Sequence, residues 1–206
     1  MTKKNLLMSI AAIGGLMGSL QASAADDNWY AGASLGTTTI ETGVSNTTGT
    51  AQVDEDDSGF KVFFGKKINK TIAVEGFYAD FGEASLTGNN GDNFTIDNVV
   101  YVFTTNNANI TSAATGFGAN AKFSLALGKS SSIVAQIGLL RWDTDTTVSG
   151  ASVTSTTLSD SGTDVFYGLG YQYSFNDSLA LTLDYDLYEI DDSDTEMFAL
   201  GVVYNF

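Results

Sequence analysis

From residue 28 onward, apolar and polar side chains alternate in runs of about ten residues, the period of strands with one apolar face. The first run, Asn28 to Ile40, sets Trp29, Ala31, Ala33 and Leu35 against Tyr30, Gly32, Ser34 and Gly36. In the second, Ser58 to Lys66, Phe60, Val62 and Phe64 oppose Lys61 and Gly65. The third, Thr71 to Gly82, places Ile72, Val74 and Tyr78 opposite Ala73, Glu75 and Ala79. A fourth, Thr115 to Leu127, has Phe117, Phe123 and Leu125 facing away from Gly116, Asn120 and Lys122. The fifth, Ser132 to Asp143, sets Ile133, Ile137 and Leu139 against Gln136, Gly138 and Trp142. Three more follow at Asp164–Phe175, Ser178–Ile190 and Met197–Phe206. Their apolar faces carry Val165 to Phe175, Leu179 to Leu187 and Phe198 to Phe206 at alternate positions, and Thr182, Asp184 and Asp186 share the polar face of the seventh.

Eight strands of about ten residues are each long enough to cross a bilayer when tilted, and an even count suits a closed antiparallel barrel. The connections strengthen that reading because they alternate in length. Short links fall at 67–70, 128–131 and 176–177, while long ones fall near 41–57, 83–114, 144–163 and 191–196. Short turns on one rim and long loops on the other are the outer-membrane pattern. A soluble barrel of the lipocalin kind would turn the apolar faces inward. Strands with five or six large apolar groups on one side overfill so small a lumen. The predicted fold is therefore all-β, an eight-stranded antiparallel up-and-down transmembrane barrel over residues 25–206.

The start of the chain reads differently. Lys3 and Lys4 precede an uncharged apolar stretch from Leu6 to Leu20, and Ala22-Ser23-Ala24 follows. This is the secretory-signal pattern, with cleavage expected after Ala24. An uncleaved anchor helix is the alternative, but the stretch is short for a span.

Composition then narrows the chemistry. The chain has no cysteine, histidine or proline, so thiolate metal sites are excluded and the commonest general base is missing. Net charge is −15; with Lys3 and Lys4 removed, 7 basic and 24 acidic residues remain, −17. Nucleic acid is not expected as a partner, because a phosphate-binding face needs clustered cations. No cofactor or metal is expected.

Alternation puts Lys61, Glu75, Lys122 and Asp184 on lumenal positions. They would form either a charge-gated pore or a self-paired plug, since an unpaired buried charge costs several kcal/mol. The outer loops are acidic at Asp54–Asp57 and again at Glu189, Asp191, Asp192, Asp194 and Glu196. Such oxygen ligands suit hard cations, or bridging cations shared with lipopolysaccharide phosphates, but they lack a defined loop spacing; a solvated acidic rim is the plainer reading. Phe94 to Phe103 reads as a ninth strand within the 83–114 loop, either packed on that loop or offered to a partner.

Taken in order, several segments resemble the OmpA-like transmembrane domain and the wider family of small outer-membrane barrels. They are Asn28 to Gly36, Gly65 to Gly82 with Asn69, Glu75, Tyr78 and Phe81, Asn120 to Phe123, Gly138 to Trp142, and Tyr204-Asn205-Phe206. The resemblance covers essentially the whole chain after residue 24. It implies that Tyr204 and Phe206 form the aromatic end read by the barrel-assembly machinery, and that outer-membrane lipid and lipopolysaccharide surround the wall. Two departures matter. The chain stops at Phe206, without the wall-binding domain that follows in OmpA. Thr182 stands where the family's lumenal arginine would face the third-strand glutamate. Barrel hydrolases of that wider group resemble one another in using a histidine, so an enzyme is not expected, and a lone Ser has no activating base. The leading expectation is a non-enzymatic integral outer-membrane protein with structural and surface-contact roles, possible surface partner included. The alternatives are a narrow channel for ions or small solutes and an adhesin acting through 83–114.

Overall fold

The computed structural model describes residues 28–191 and 193–206. The expected signal and its cleavage residue Ala24 lie outside the described residues, as does Asp192. Twelve strands run in order: β1 (Trp29–Ile40), β2 (Val44–Ser45), β3 (Gln52–Asp54), β4 (Asp56–Lys67), β5 (Ile72–Gly88), β6 (Asn93–Ile96), β7 (Val99–Val102), β8 (Ala108–Ala126), β9 (Ser131–Gly150), β10 (Val153–Ser174), β11 (Leu179–Ile190) and β12 (Ser193–Asn205).

Eight of them close a barrel. The antiparallel ladder runs β1–β4–β5–β8–β9–β10–β11–β12 and returns from β12 to β1 through pairs such as Leu35↔Leu200. Closure removes the exposed sheet edge that would otherwise seek a partner. Alternation is obeyed along the membrane-spanning band: Phe64, Phe117, Leu125, Leu139, Leu169 and Leu200 are exposed on the outer wall, while Ser34, Lys61, Phe77, Asn120, Phe166 and Asp186 are buried inside.

The outer wall is apolar over a band and polar above it. On β9 the outward residues run Ile133, Ala135, Ile137, Leu139 and then Arg141, Asp143 and Asp145. On β10 the run Phe175 to Val165 gives way to Thr163 and Ser161. Roughly ten steps of ~3.3 Å at a tilt of ~40° make a band of about 25 Å, the height of a lipid-facing wall. Aromatic rings mark both edges. Near the short turns Trp29 stacks on Phe64 at 4.9 Å and Tyr204 meets Phe206 at 5.4 Å; near the far rim Tyr78 contacts Phe60 at 6.0 Å and Phe117 at 4.9 Å.

Glycine lets the lumen take large rings. Five inward aromatics each lie over a glycine that faces them across the ladder: Phe63 over Gly32, Tyr30 over Gly65, Phe77 over Gly118, Phe166 over Gly138 and Trp142 over Gly162. A Cβ at any of these glycines would come within 2.6 Å of the ring.

The strands are longer than expected on one rim only. The expected loop 144–163 is instead the continuous upper half of the β9–β10 hairpin, closed by Ala151 and Ser152. Its Thr-rich sequence has strand propensity, and both faces meet water, so no apolar alternation announces it. Likewise β12 begins at Ser193, inside the expected 191–196 loop. The third strand passes through Gly82, where it was expected to stop. Between Asp80 and Glu83 the β5–β8 register gains a residue, a bulge with Gly82 at φ +74° and its N–H donating to Asp80 Oδ1 at 2.9 Å. Beyond it β5 exchanges β4 for β3 as its neighbour.

Candidate functional site

Two regions carry the polar chemistry, the middle of the lumen and the crown above the apolar band. In the lumen, Lys61 Nζ lies 2.6 Å from Asp186 Oδ2, and Lys122 Nζ lies 2.7 Å from Glu75 Oε2. Tyr30 donates to Glu75 Oε2 at 3.1 Å and Tyr188 to Asp186 Oδ2 at 3.1 Å. Gln136 Nε2 donates to Asp186 Oδ1 while its Oε1 accepts from Asn120 Nδ2 at 2.8 Å. Lys122 sits over the Phe63 ring at 4.8 Å and Lys61 near Phe77 at 5.7 Å. The network thus has two clusters, one joining β4, β8, β9 and β11 and the other joining β1, β5 and β8.

Of the four lumenal residues named from sequence, Lys61, Glu75 and Lys122 stand in this network. Asp184 is inward and buried but forms no ion pair among the described residues; Lys61 pairs with Asp186 instead. Both face inward from β11, two residues apart, so alternation alone does not rank them. The ladder does not rank them either, since Asp186 pairs with Gly168 and Asp184 with Gly170; the closed barrel does, by bringing Lys61 across the lumen to Asp186.

Above the ion pairs an aromatic stack closes the lumen. Phe166 meets Phe77 at 5.2 Å and Tyr188 at 4.8 Å, and Phe81 meets Tyr188 at 4.7 Å. Phe81, Leu140, Phe166 and Met197 are at most 1% exposed. These layers separate two cavities. One, of about 330 Å³, opens between the short turns, and the other, of about 490 Å³, lies under the crown against Ile40, Leu86, Phe94 and Ile190.

The crown has its own small core of Ala51, Leu86, Phe94, Phe103 and Ala108, on which Val44, Val53, Ile96 and Ile110 pack. The segment 94–103 is a hairpin, not one strand: β6 and β7 reverse at Asp97 and Asn98, with φ of 51° and 63°. Two consecutive left-handed residues make the tight turn usually signalled by glycine, and Asp-Asn signals it only weakly. Strand β6 is central, covered by β2, and β7 is the edge of the order β2-β6-β7. All four β7 residues are exposed, Val100 by 63%.

Crown carboxylates bond to the crown's own donors. Glu55 Oε1 accepts from the Thr42 backbone N–H and hydroxyl, Asp56 Oδ1 from Thr39, and Asp57 Oδ2 from the Glu83 N–H. Among the described residues no three carboxylates converge as a cation site. Asp92 accepts from Thr50 Oγ1 at 2.6 Å and from the Asn89 N–H at 2.9 Å, and these bonds hold its carboxyl below the usual range. A depressed folded value means the contribution is full above the unfolded pKa and is lost as pH falls through the folded one. Amide exchange at Asn89 is therefore expected to quicken on acidification, and Asp92→Asn to abolish that dependence.

The family model for the outer membrane protein beta-barrel domain matches residues 8–206. No curated protein sequence matches the chain. Solved structures with the same fold include Ail, the attachment invasion locus protein of Yersinia pestis (16% identity, 88% of this chain and 100% of that one, TM-score 0.51). Neisserial surface protein A is similar at 12% identity over 86% and 97% of the two chains, with a TM-score of 0.53. OprG from Pseudomonas aeruginosa is similar at 9% identity over 87% and 96%, with a TM-score of 0.51.

Proposed function

The chain belongs to the outer-membrane β-barrel family, and from that premise we propose a non-enzymatic protein whose closed barrel holds an acidic, partner-seeking crown outside the bacterial cell. It resides in the outer membrane. The short-turn rim faces the periplasm and the crown faces outward, as strand connections of unequal length require. Outer-membrane lipid and lipopolysaccharide surround the band, and Tyr204 and Phe206, closing β12 against β1 through the Phe206 N–H and Trp29 carbonyl at 3.0 Å, serve as the assembly signal.

The observation that supports surface contact is β7. In its hairpin ladder Ile96↔Val99 and Phe94↔Tyr101 exchange hydrogen bonds, so Val100 and Val102 direct their N–H and C=O groups outward. An apolar edge with open backbone groups favours addition of an extended strand from a partner. The surroundings favour a cationic one, because Arg141 is the only basic residue above the band among the described residues. Val100→Asp with Val102→Asp should leave heat-modifiable gel migration unchanged and reduce cell binding to host or abiotic surfaces about tenfold, one hot-spot loss. Unchanged binding would refute the β7 role.

The sealed lumen favours this role over conduction. The ion pairs and the aromatic stack stand between the two cavities, and Asp186 and Glu75 are each engaged by a lysine. Planar-bilayer recordings of the refolded protein should lack discrete openings. Openings abolished by Glu75→Ala would reverse the reading.

A further inference from the structure

The cavity between the short turns has a composition unlike the rest of this acidic chain. Four of its lining residues are Lys67, Lys70, Lys122 and Lys129, and Ser124, Ser130 and Ser132 add hydroxyl donors. We propose that this cavity binds a phosphoryl oxyanion from the periplasmic side.

The charge balance carries the argument. Of the nine basic residues in the sequence, five (Lys66, Lys67, Lys70, Lys122 and Lys129) gather at this end of the barrel. Lys122 is neutralised by Glu75 at 2.7 Å. Lys67 is held by a neutral partner, Asn205 Oδ1, at 2.7 Å. Lys70 and Lys129 have no carboxylate within ion-pair distance among the described residues. The single carboxylate in the lining, Asp184, belongs to β11, across the barrel from β4 and β8, which carry Lys67 and Lys122. A chain with an excess of acids has thus left one concave, half-enclosed space cationic.

The turns that present these lysines are fixed rather than loose. Asn69 Oδ1 accepts the N–H groups of Thr71 and Ile72 at 2.8 and 2.9 Å. Ser124 N–H donates to the Thr71 carbonyl at 2.7 Å, joining this turn to β8, and Leu127 N–H donates to the Ser131 carbonyl at 2.9 Å. Lys70 and Lys129 therefore sit on neighbouring turns over one opening. Three ammonium groups without acidic partners match a compact anion of more than one charge. Lysine binds phosphate as a point charge, and the walls lower the screening that water would supply. A single carboxylate would leave most of the positive charge uncompensated. The lipid side has a separate cation: Lys66 lies over Trp29 at 4.9 Å in the outward aromatic belt.

The test is titration of the refolded full chain with inorganic pyrophosphate, followed by amide shifts in NMR. Saturable shifts at 67–71 and 128–131 are expected, weakened about tenfold or more by Lys70→Ser with Lys129→Ser, since charge-assisted contacts are the strong ones. Both substitutions lie in exposed turns, and heat-modifiable migration confirms folding of the variant. Lys66→Ser should not alter the affinity. Absence of saturable shifts, or equal weakening by Lys66→Ser, overturns the proposal. Repeating the titration in nanodiscs separates the sources of the phosphoryl group. Equal binding in phosphatidylcholine and phosphatidylglycerol assigns the site to a soluble anion; competition by phosphatidylglycerol alone assigns it to a lipid headgroup.

Discussion

Lys61→Met is expected to destabilise the barrel by about 3–5 kcal/mol, because it leaves a buried carboxylate without its cation. Asp186 is 1% exposed and receives Lys61, Gln136 and Tyr188 together. Water cannot replace the ammonium, since Phe77 and Phe166 lie above and the Glu75–Lys122 pair below. Removing both charges is a different experiment. Lys61→Met with Asp186→Leu exchanges an ion pair for apolar volume, which buried pairs generally tolerate. The double variant should recover most of the loss, as urea unfolding in micelles or the temperature at which the folded gel band disappears would measure. If the double variant is as unstable as the single, the network contributes through hydrogen bonds that Gln136 and Tyr188 then lack, not through the charge pair.

Phe166→Ala should cost a similar amount, about 3–5 kcal/mol, by another route. Phe166 is 1% exposed, stands edge-on to Phe77 and stacks on Tyr188. Its cross-strand neighbour is Gly138, which has no side chain to move into the space. A hole lined on one side by backbone collapses poorly, so the upper part of the range applies. Unfolding in urea checks it, and Phe166→Leu, which keeps most of the volume, should recover more than half. A loss below about 1 kcal/mol would mean that Tyr188 and Phe77 close the gap unaided.

The barrel was legible because lipid and lumen impose opposite demands on successive residues. Trp29 to Leu35 outward and Tyr30 to Gly36 inward follow from alternation alone, and so do Lys61, Glu75 and Lys122 as lumenal charges. Pairing was not legible. Asp184 and Asp186 share a face and each lies against a glycine, and only the closed barrel shows which one meets Lys61 across the lumen. The crown was misjudged for a related reason. Where both faces of a strand meet water, as in Val153 to Thr163, no period two survives, and threonine propensity is the only signal left. The reversal at Asp97 and Asn98 was hidden because the turn uses no glycine.

The β9–β10 hairpin also sets a distance. Its outward face leaves the apolar band at Arg141, and pairing continues unbroken to Gly150 and Val153 apart from the irregularity beside the tip. Roughly nine further steps of ~3.3 Å, tilted as below, raise that tip about 20–25 Å over the lipid. Pairing along both strands makes it a post rather than a tether, and β8 braces it up to Asn109 through pairs such as Ile110↔Val148. A flat surface approaching the cell would touch Ala151 and Ser152 before it reached lipid. Whatever binds the crown must then bring a segment slender enough to enter that stand-off.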